Sequence, residues 1–546
     1  MRNFTASFIF LFVLLLVPPE ARAVVDPLAV PNNRFGIHIF DESDIPLAAE
    51  LVNSSGGQWG YVTLVVREDE RDHARWQRAF DEMRRQRLIP IVRIATGMNE
   101  AGWRTPSKAE ATNWAAFLDG LNWPTKNRYV ILFNEPNHAS EWGGSIAPHE
   151  YADVVREYAN KLREGSDDFF VLPAGLDLAA PNGETTMDAA DYFQKMYEYD
   201  NQIFTLFDGW TSHSYPNPGF SGRSSATGRT SIRGYQWERD FLSQFGLPTN
   251  TPIFITETGW VGENLSENYR DAYDNAWSDT HIVAVTPFIL NYQTSPFNQF
   301  SWINPVSGEP NEHFYTAQSF LKIEGKPVQI ERFTISETFP TTLIFNSTYD
   351  ALIKLKNTGQ SIWTDEYKLH IVSDIPSLNT QVGLTTAAPG QEIELSLPIG
   401  TFGVYGNKEV IFSLNKNGQV VSMQSVVVEI VPPPSLVFTV RRWFKQPDEV
   451  DGTTITLTAT DANSVFFRGI DIREGVGRIG ELHNVVPGKT YTVTLSSQDY
   501  YEKQQVVNLQ KKETRIDFGR LVPKFNYIEV FFHPMSTLFR FLPSRL

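Results

Sequence analysis

Tyr129-Val130-Ile131-Leu132-Phe133-Asn134-Glu135-Pro136-Asn137 decides how the first half of this chain is read. Its apolar residues run without alternation, which suits a strand buried on both faces of a parallel sheet. A polar segment with a proline then ends the strand and leaves a carboxylate just past it. The same grammar recurs on either side. Apolar runs occupy Phe35–Phe40, Tyr61–Val66, Ile89–Ile94, Phe169–Leu172, Trp210–Ser214, Ile253–Thr256 and Ile282–Leu290. Between them the spacing turns helical: Asp72–Gln86 puts Trp76, Ala79, Phe80 and Met83 on one face and charges on the other. Lys108–Leu121, His149–Glu164, Met187–Tyr199, Tyr235–Phe245, Glu267–Asp279 and Phe314–Lys322 behave alike, and Asp44–Val52 supplies a shorter first helix. Strand–helix units repeated in this way predict an α/β fold, a closed (β/α)8 TIM barrel within residues 24–327. A doubly wound open sheet is the alternative, but it calls for a phosphate-binding turn after its first strand, and none follows Phe40.

Composition narrows the chemistry. The 546 residues are 41% apolar and 20% charged, a globular balance with material for several cores. A formal charge of −16 argues against nucleic acid as a partner, because phosphates demand a basic face. The absence of cysteine excludes disulfides, thiolate catalysis and thiolate–zinc sites. Aromatic residues reach 13%, with 13 Trp and 20 Tyr, a supply of flat faces for stacking on ligands.

The two ends read differently from the middle. Residues 1–23 carry a positive charge at Arg2, an apolar run from Phe8 to Val17, and Ala21-Arg22-Ala23 as a cleavage site. That is the pattern of a secretory signal peptide, too short in its apolar part to span a bilayer core that needs about 20 residues. An exported protein, secreted or at the cell surface, is expected, and its lack of cysteine fits a bacterial source. Residues 328–431 alternate short apolar strands with Gly and Asn turns, as an all-β sandwich does. Pro432-Pro433-Pro434 is a stiff linker, and residues 435–522 predict a second small β domain. The tail, 523–546, crowds Phe525, Tyr527, Phe531, Phe532, Phe539 and Phe541 together. Such a segment is expected to dock within the protein, the alternative being contact with a membrane or cell surface.

Two carboxylates stand at matching places. Glu135 follows the fourth apolar run and Glu257 the seventh, in Phe254-Ile255-Thr256-Glu257-Thr258-Gly259-Trp260. In a barrel of this kind the strand carboxyl ends open on one face, so these side chains meet across the mouth. Paired carboxyl groups flanking a glycosidic bond are what its hydrolysis requires. Taken singly, either glutamate would read as a solvated loop residue or a salt-bridge partner.

Together, the segments resemble the glycoside hydrolases of clan A. Asn134-Glu135-Pro136 is similar to the clan's acid/base motif, and Thr256-Glu257-Thr258-Gly259-Trp260 to its nucleophile strand. Ser212-His213-Ser214-Tyr215-Pro216 is similar to the segment whose tyrosine bonds the nucleophile. With its second asparagine, Asn134-Glu135-Pro136-Asn137 resembles family 39, while the remainder resembles family 5. The resemblance implies a retaining hydrolase of a β-linked poly- or oligosaccharide, with Glu135 as a protonated acid and Glu257 as an ionised nucleophile. It also implies that Tyr215 and Arg67 donate to Glu257 and that Asn134 binds the sugar hydroxyl beside the reacting carbon. His213 is a candidate ligand or core residue. Trp260 and Trp302 are candidate stacking platforms, and His38 and Arg93 also end strands. The arginines of the loop 217–233 (Arg223, Arg229, Arg233) could favour an acidic sugar, although a solvated loop is the plainer reading. The alternative to an enzyme is a catalytically silent carbohydrate-binding or adhesion protein on a hydrolase barrel. Intact carboxylates favour the enzyme.

Other motifs fall away. Gly475-Val476-Gly477-Arg478-Ile479-Gly480 fits a dinucleotide fingerprint by letter, but Val485-Val486-Pro487-Gly488 leaves no room for the helix it needs. With no zincin histidine pair, P-loop or Gly-x-Ser-x-Gly elbow, neither a metal nor a nucleotide cofactor is expected. Lys356-Asn357-Thr358-Gly359-Gln360-Ser361-Ile362-Trp363 resembles a signature of immunoglobulin-like modules. Val485–Val493 resembles the Pro-Gly-x-Tyr hairpin of prealbumin-like, carboxypeptidase-regulatory-type modules. Both modules are expected to serve as spacers.

Overall fold

The computed structural model describes residues 24–336, 339–441, 454–459, 465–468, 470 and 472–524. The expected signal peptide, and the tail from 525 onward, lie outside the described residues. The chain divides into two compact units, one running to Ile330 and the other beginning at Glu331. Among the described residues no helix is long and apolar enough to cross a membrane.

The first unit is a closed parallel barrel. Its strands are β1 (Gly36–His38), β2 (Gly60–Arg67), β3 (Leu88–Ala95), β4 (Arg128–Leu132), β5 (Phe169–Pro173), β6 (Trp210–His213), β7 (Ile253–Glu257) and β8 (Ile282–Val285). Strands β1 to β5 hydrogen-bond in order, as do β6 to β8. Parallel bridges from Phe35 to Val285 and from Asp177 to His213 close the circle. The helices between them are α1 (Ile45–Val52), α2 (His73–Arg85), α3 (Ala111–Gly120), α4 (Pro148–Gly165), α5 (Ala189–Tyr199), α6 (Gly234–Ser243), α7 (Leu265–Asp271) and α8 (Glu312–Gln318).

The unbroken apolar runs now have their cause. Tyr61, Ile89, Ile91, Tyr129, Ile131, Phe170, Leu172, Phe254 and Val283 fill the barrel interior as one buried cluster. The residues between them, among them Val62, Leu64, Val92, Ile94, Val130 and Val171, belong to the cluster that includes Trp76, Phe80, Met83, Tyr158 and Leu162 of the helices. Each strand is buried on both faces, so a polar residue has no solvated side to occupy. The helix ends are set locally. Asp72 caps α2 by accepting from the Arg75 backbone N–H. The expected helix over 267–279 is α-helical only as far as Asp271 and widens into a π turn at Ala272–Ala276. The last helix stops at Gln318, four residues short of its expected end, where the Lys322 ammonium folds back onto the carbonyls of Ala317 and Phe320.

The second unit holds two β sandwiches. In the first, strands Phe333–Ile335, Thr348–Asn357 and Glu392–Gly400 form one sheet. Thr342–Ile344, Gln419–Val431, Gly406–Lys416, Tyr367–Ser373 and Thr380–Gly383 form the other. Ile353, Trp363, Leu369 and Phe412 are buried in their common core. The second sandwich pairs four strands with four, around Leu436, Phe438, Ile455, Val493 and Phe518. The glycine-rich 475–480 segment is not followed by a helix; it belongs to the antiparallel hairpin of Ile472–Arg473 with Val476–Ile479.

Candidate active site

Three strand ends converge on the carboxylates. Glu135 lies in the loop after β4, where Phe133 (φ 75°) and Glu135 (φ 25°) hold left-handed backbone on either side of Asn134. Such conformations cost about 1–3 kcal/mol each and persist only where surroundings enforce them. Here the Glu135 N–H donates to the Gly175 carbonyl at 3.1 Å. The Asn137 amide donates to the carbonyls of Asp177 and Met187. Glu257 is the last residue of β7, buried at 8% exposure. A bulge in the β6–β7 ladder puts Ser212 opposite Ile255 but His213 opposite Glu257. This irregularity levels the histidine with the glutamate.

The side chains form one network. His213 Nδ1 lies 2.8 Å from Glu135 Oε1 and 3.8 Å from Glu257 Oε2. Tyr215 donates its hydroxyl to Glu257 Oε2 at 3.1 Å. Arg93, reaching up from β3, donates to Glu257 Oε1 and, at 2.7 Å, to Asn134 Oδ1. The His213 ring fits only because residue 175 is glycine: a Cβ there would stand 2.3 Å from the ring. One oxygen each of Glu135 and Glu257 and a His213 nitrogen lie within 4.8 Å of one another.

Electrostatics assigns states to these groups. Burial alone would raise the Glu257 carboxyl, but the charges of His213, Arg93 and His38 and the Arg93 hydrogen bond overcome it and hold it at about 2. Glu257 is therefore a carboxylate at neutral pH. Burial lowers His213, yet Glu257 and the hydrogen bond to Glu135 win and raise it above its ordinary value. Burial, then the neighbouring charge of Glu257, pushes the Tyr215 hydroxyl well upward, so it stays a donor. His38, buried beside Arg93 with its ring 5.2 Å from that of Phe288, is lowered to about 3 and is neutral. Glu135, His213 and Glu257 are also the donor types that a metal ion takes. Both Glu257 oxygens, however, already accept from Arg93 and Tyr215, and a guanidinium on that carboxylate repels a cation.

Several expected site residues stand elsewhere. Arg67 does not donate to Glu257: it pairs with Asp69 at 2.5 Å on the surface, and Arg93 holds the carboxylate instead. In the β2–β3 register Arg93 lies opposite Val65 and Arg67 opposite Ala95, so Arg67 sits two residues further out. Trp260 and Trp302 are no stacking platforms, being 2% and 1% exposed. Trp260 donates to the Gly222 carbonyl and packs against Tyr269 and Trp277, while Trp302 lies between Tyr269 and His313. Exposed rings near the mouth belong to Phe40, edge-on to Tyr292, and to Phe297, edge-on to Phe288. Arg229 pairs with Asp188, and Arg233 donates to the Ser224 and Ala226 carbonyls, so neither is available to an acidic sugar. Sequence reasoning missed Glu141, whose Oε2 accepts from Asn134 Nδ2 at 3.2 Å. Burial first, and then the charge of Glu135, push its carboxyl up to about 7. It occupies a short turn with no periodic signal, and only the fold brings it beside Asn134.

No protein-family model matches the chain, nor does any curated protein. Solved structures do. An endo-beta-1,4-glucanase from Xanthomonas axonopodis pv. citri is 12% identical over 52% of this chain and 98% of its own, with a TM-score of 0.37. A family 39 glycoside hydrolase from Bacteroides cellulosilyticus WH2 is 15% identical, over 69% and 81%, with a TM-score of 0.36. The endo-1,4-beta-mannanase from Rhizomucor miehei is 12% identical, over 54% and 95%, with a TM-score of 0.36.

Proposed function

We propose that this protein hydrolyses O-glycosidic bonds of a β-linked glycan with retention of configuration, and that its signal peptide directs it out of the cell. The observation that carries the reading is the facing pair at the mouth, with Glu135 and Glu257 oxygens within 4.8 Å. A retaining pair stands about 5 Å apart, whereas an inverting pair needs about 6.5 Å or more to admit a water. Ionised Glu257, fixed by Arg93 and Tyr215, attacks the anomeric carbon. As that C–O bond forms, the glycosidic bond breaks and Glu135 gives its proton to the leaving oxygen. Water then attacks the glycosyl ester, its proton passing to Glu135 and the Glu257 carboxylate leaving. His213 bonds Glu135 from below and orients it for both proton transfers.

A cyclitol epoxide of β-glycoside configuration tests this. It should add its mass to the peptide carrying Glu257, with activity lost in proportion. Labelling elsewhere, or none on a protein inert towards a panel of β-glycosides, would sink the reading.

A further inference from the structure

The half-buried carboxyl group of Glu141 has no part in the two-step displacement, yet it faces the same asparagine that Arg93 holds. A guanidinium has donors only, so Arg93 fixes which end of the Asn134 amide is oxygen. The Nδ2 end is thereby turned to Glu141 Oε2, 3.2 Å away. One amide proton is taken by Glu141 and the second is left over.

Glu141 is not free to swing. Trp142, the next residue, is fully buried and donates to Glu150 at 3.0 Å. Its ring lies 5.7 Å from that of Phe133, the residue before Asn134. The ring pair therefore ties together the backbones that carry Glu141 and Asn134. On the other flank, Gly102 (φ 114°) lies so close that a Cβ would come within 2.1 Å of the Ser140 carbonyl oxygen. The Ala139 N–H donates to Thr185 and the Gly143 N–H to Trp103, each at 2.8 Å. The turn is clamped on all sides.

We infer that Glu141 is a positioning residue for glycoside hydrolysis, holding the Asn134 amide so that its remaining N–H meets the sugar hydroxyl beside the reacting carbon. This rests on the hydrolase reading above. Burial that favours the protonated acid near neutrality fits the role, since either form of the carboxyl offers an oxygen to Nδ2. The other charged groups facing Glu141 are Glu135, Arg93 and Glu257, with His138 nearby.

The experiment compares aryl β-glycosides with their 2-deoxy counterparts on the full chain. Glu141→Leu should lower kcat/KM about tenfold to a hundredfold on the 2-hydroxy substrate and less than about threefold on the 2-deoxy one. Glu141→Gln keeps a carbonyl acceptor and should recover most of the loss. Adding Glu141→Leu to Asn134→Ala should cost nothing further, because the two act through one contact. Equal losses on both substrates, no loss, or a Gln variant as poor as Leu would each overturn the role of Glu141. A wild-type protein inert on every glycoside would overturn the hydrolase reading along with it.

Discussion

Arg93 and Glu257, 164 residues apart, meet as an ion pair across the barrel from β3 to β7, with side chains only 12% and 10% exposed. A buried pair is costly to break from one side because the remaining charge is stranded. Arg93→Leu should therefore destabilise the barrel by about 3–5 kcal/mol. The double variant with Glu257→Leu should recover a large part of that. Denaturant unfolding of the full chain, following the barrel transition, checks the pair; an additive double variant would contradict it.

Replacing either carboxylate separates its role. Glu257→Gln and Glu135→Gln should each lower turnover of a natural glycan at least about a thousandfold in the folded protein, the Glu257 variant also losing stability because Arg93 loses its partner. Azide should restore Glu257→Ala and yield a glycosyl azide of inverted configuration. The Glu135 variant should keep activity on dinitrophenyl glycosides, whose leaving groups need no proton. Wild-type turnover by both variants would mean that the site is elsewhere.

Tyrosine and tryptophan should part company. Tyr215→Phe removes one donor to Glu257 and should lower kcat about tenfold to a hundredfold with little change in stability. Trp260→Ala, deep among Tyr269 and Trp277, should instead cost about 3–5 kcal/mol of stability. A Trp260 variant that folds normally but loses affinity for glycans would restore it as a platform.

Acid sensitivity should reflect buried histidine. Burial lowers His313, stacked on Tyr269 beside Trp302, to about 4. The unfolded ring titrates near 6.5, so between these values the unfolded state binds one more proton and stability falls with pH. The loss is about 3 kcal/mol, complete below pH 4. His38 and Glu257 act in the same direction, reaching about 3 and about 2. Glu141 and Glu238, both raised to about 7, act oppositely between their unfolded values and 7. The difference between wild type and His313→Phe isolates the histidine: their melting temperatures should diverge from pH 6.5 to 4, the wild type losing more. Parallel curves would contradict the assignment.

The strand–helix order of the barrel was legible in the sequence because each of its strands is buried on both faces, where an unpaired polar side chain would lose its hydration. Glu135 and Glu257 were legible for a related reason: each is a carboxylate standing just past such a run. The two sandwiches announced themselves by alternation and by glycine turns. What only the tertiary structure decided is which side chains reach the mouth. Arg67 and Arg93 both lie on strands with the same local pattern, and the β2–β3 register alone sets one two residues deeper than the other. Tryptophan in a loop reads the same whether it faces solvent or, like Trp260 and Trp302, fills a core. Glu141 carries no local signal at all. Its partner Asn134 is selected by a ring pair between Phe133 and Trp142 and by a glycine that lets the turn close. Apolar periodicity is a property of the chain, which any window of sequence records. Register and loop packing are relations between distant segments, and they exist only once the barrel has closed.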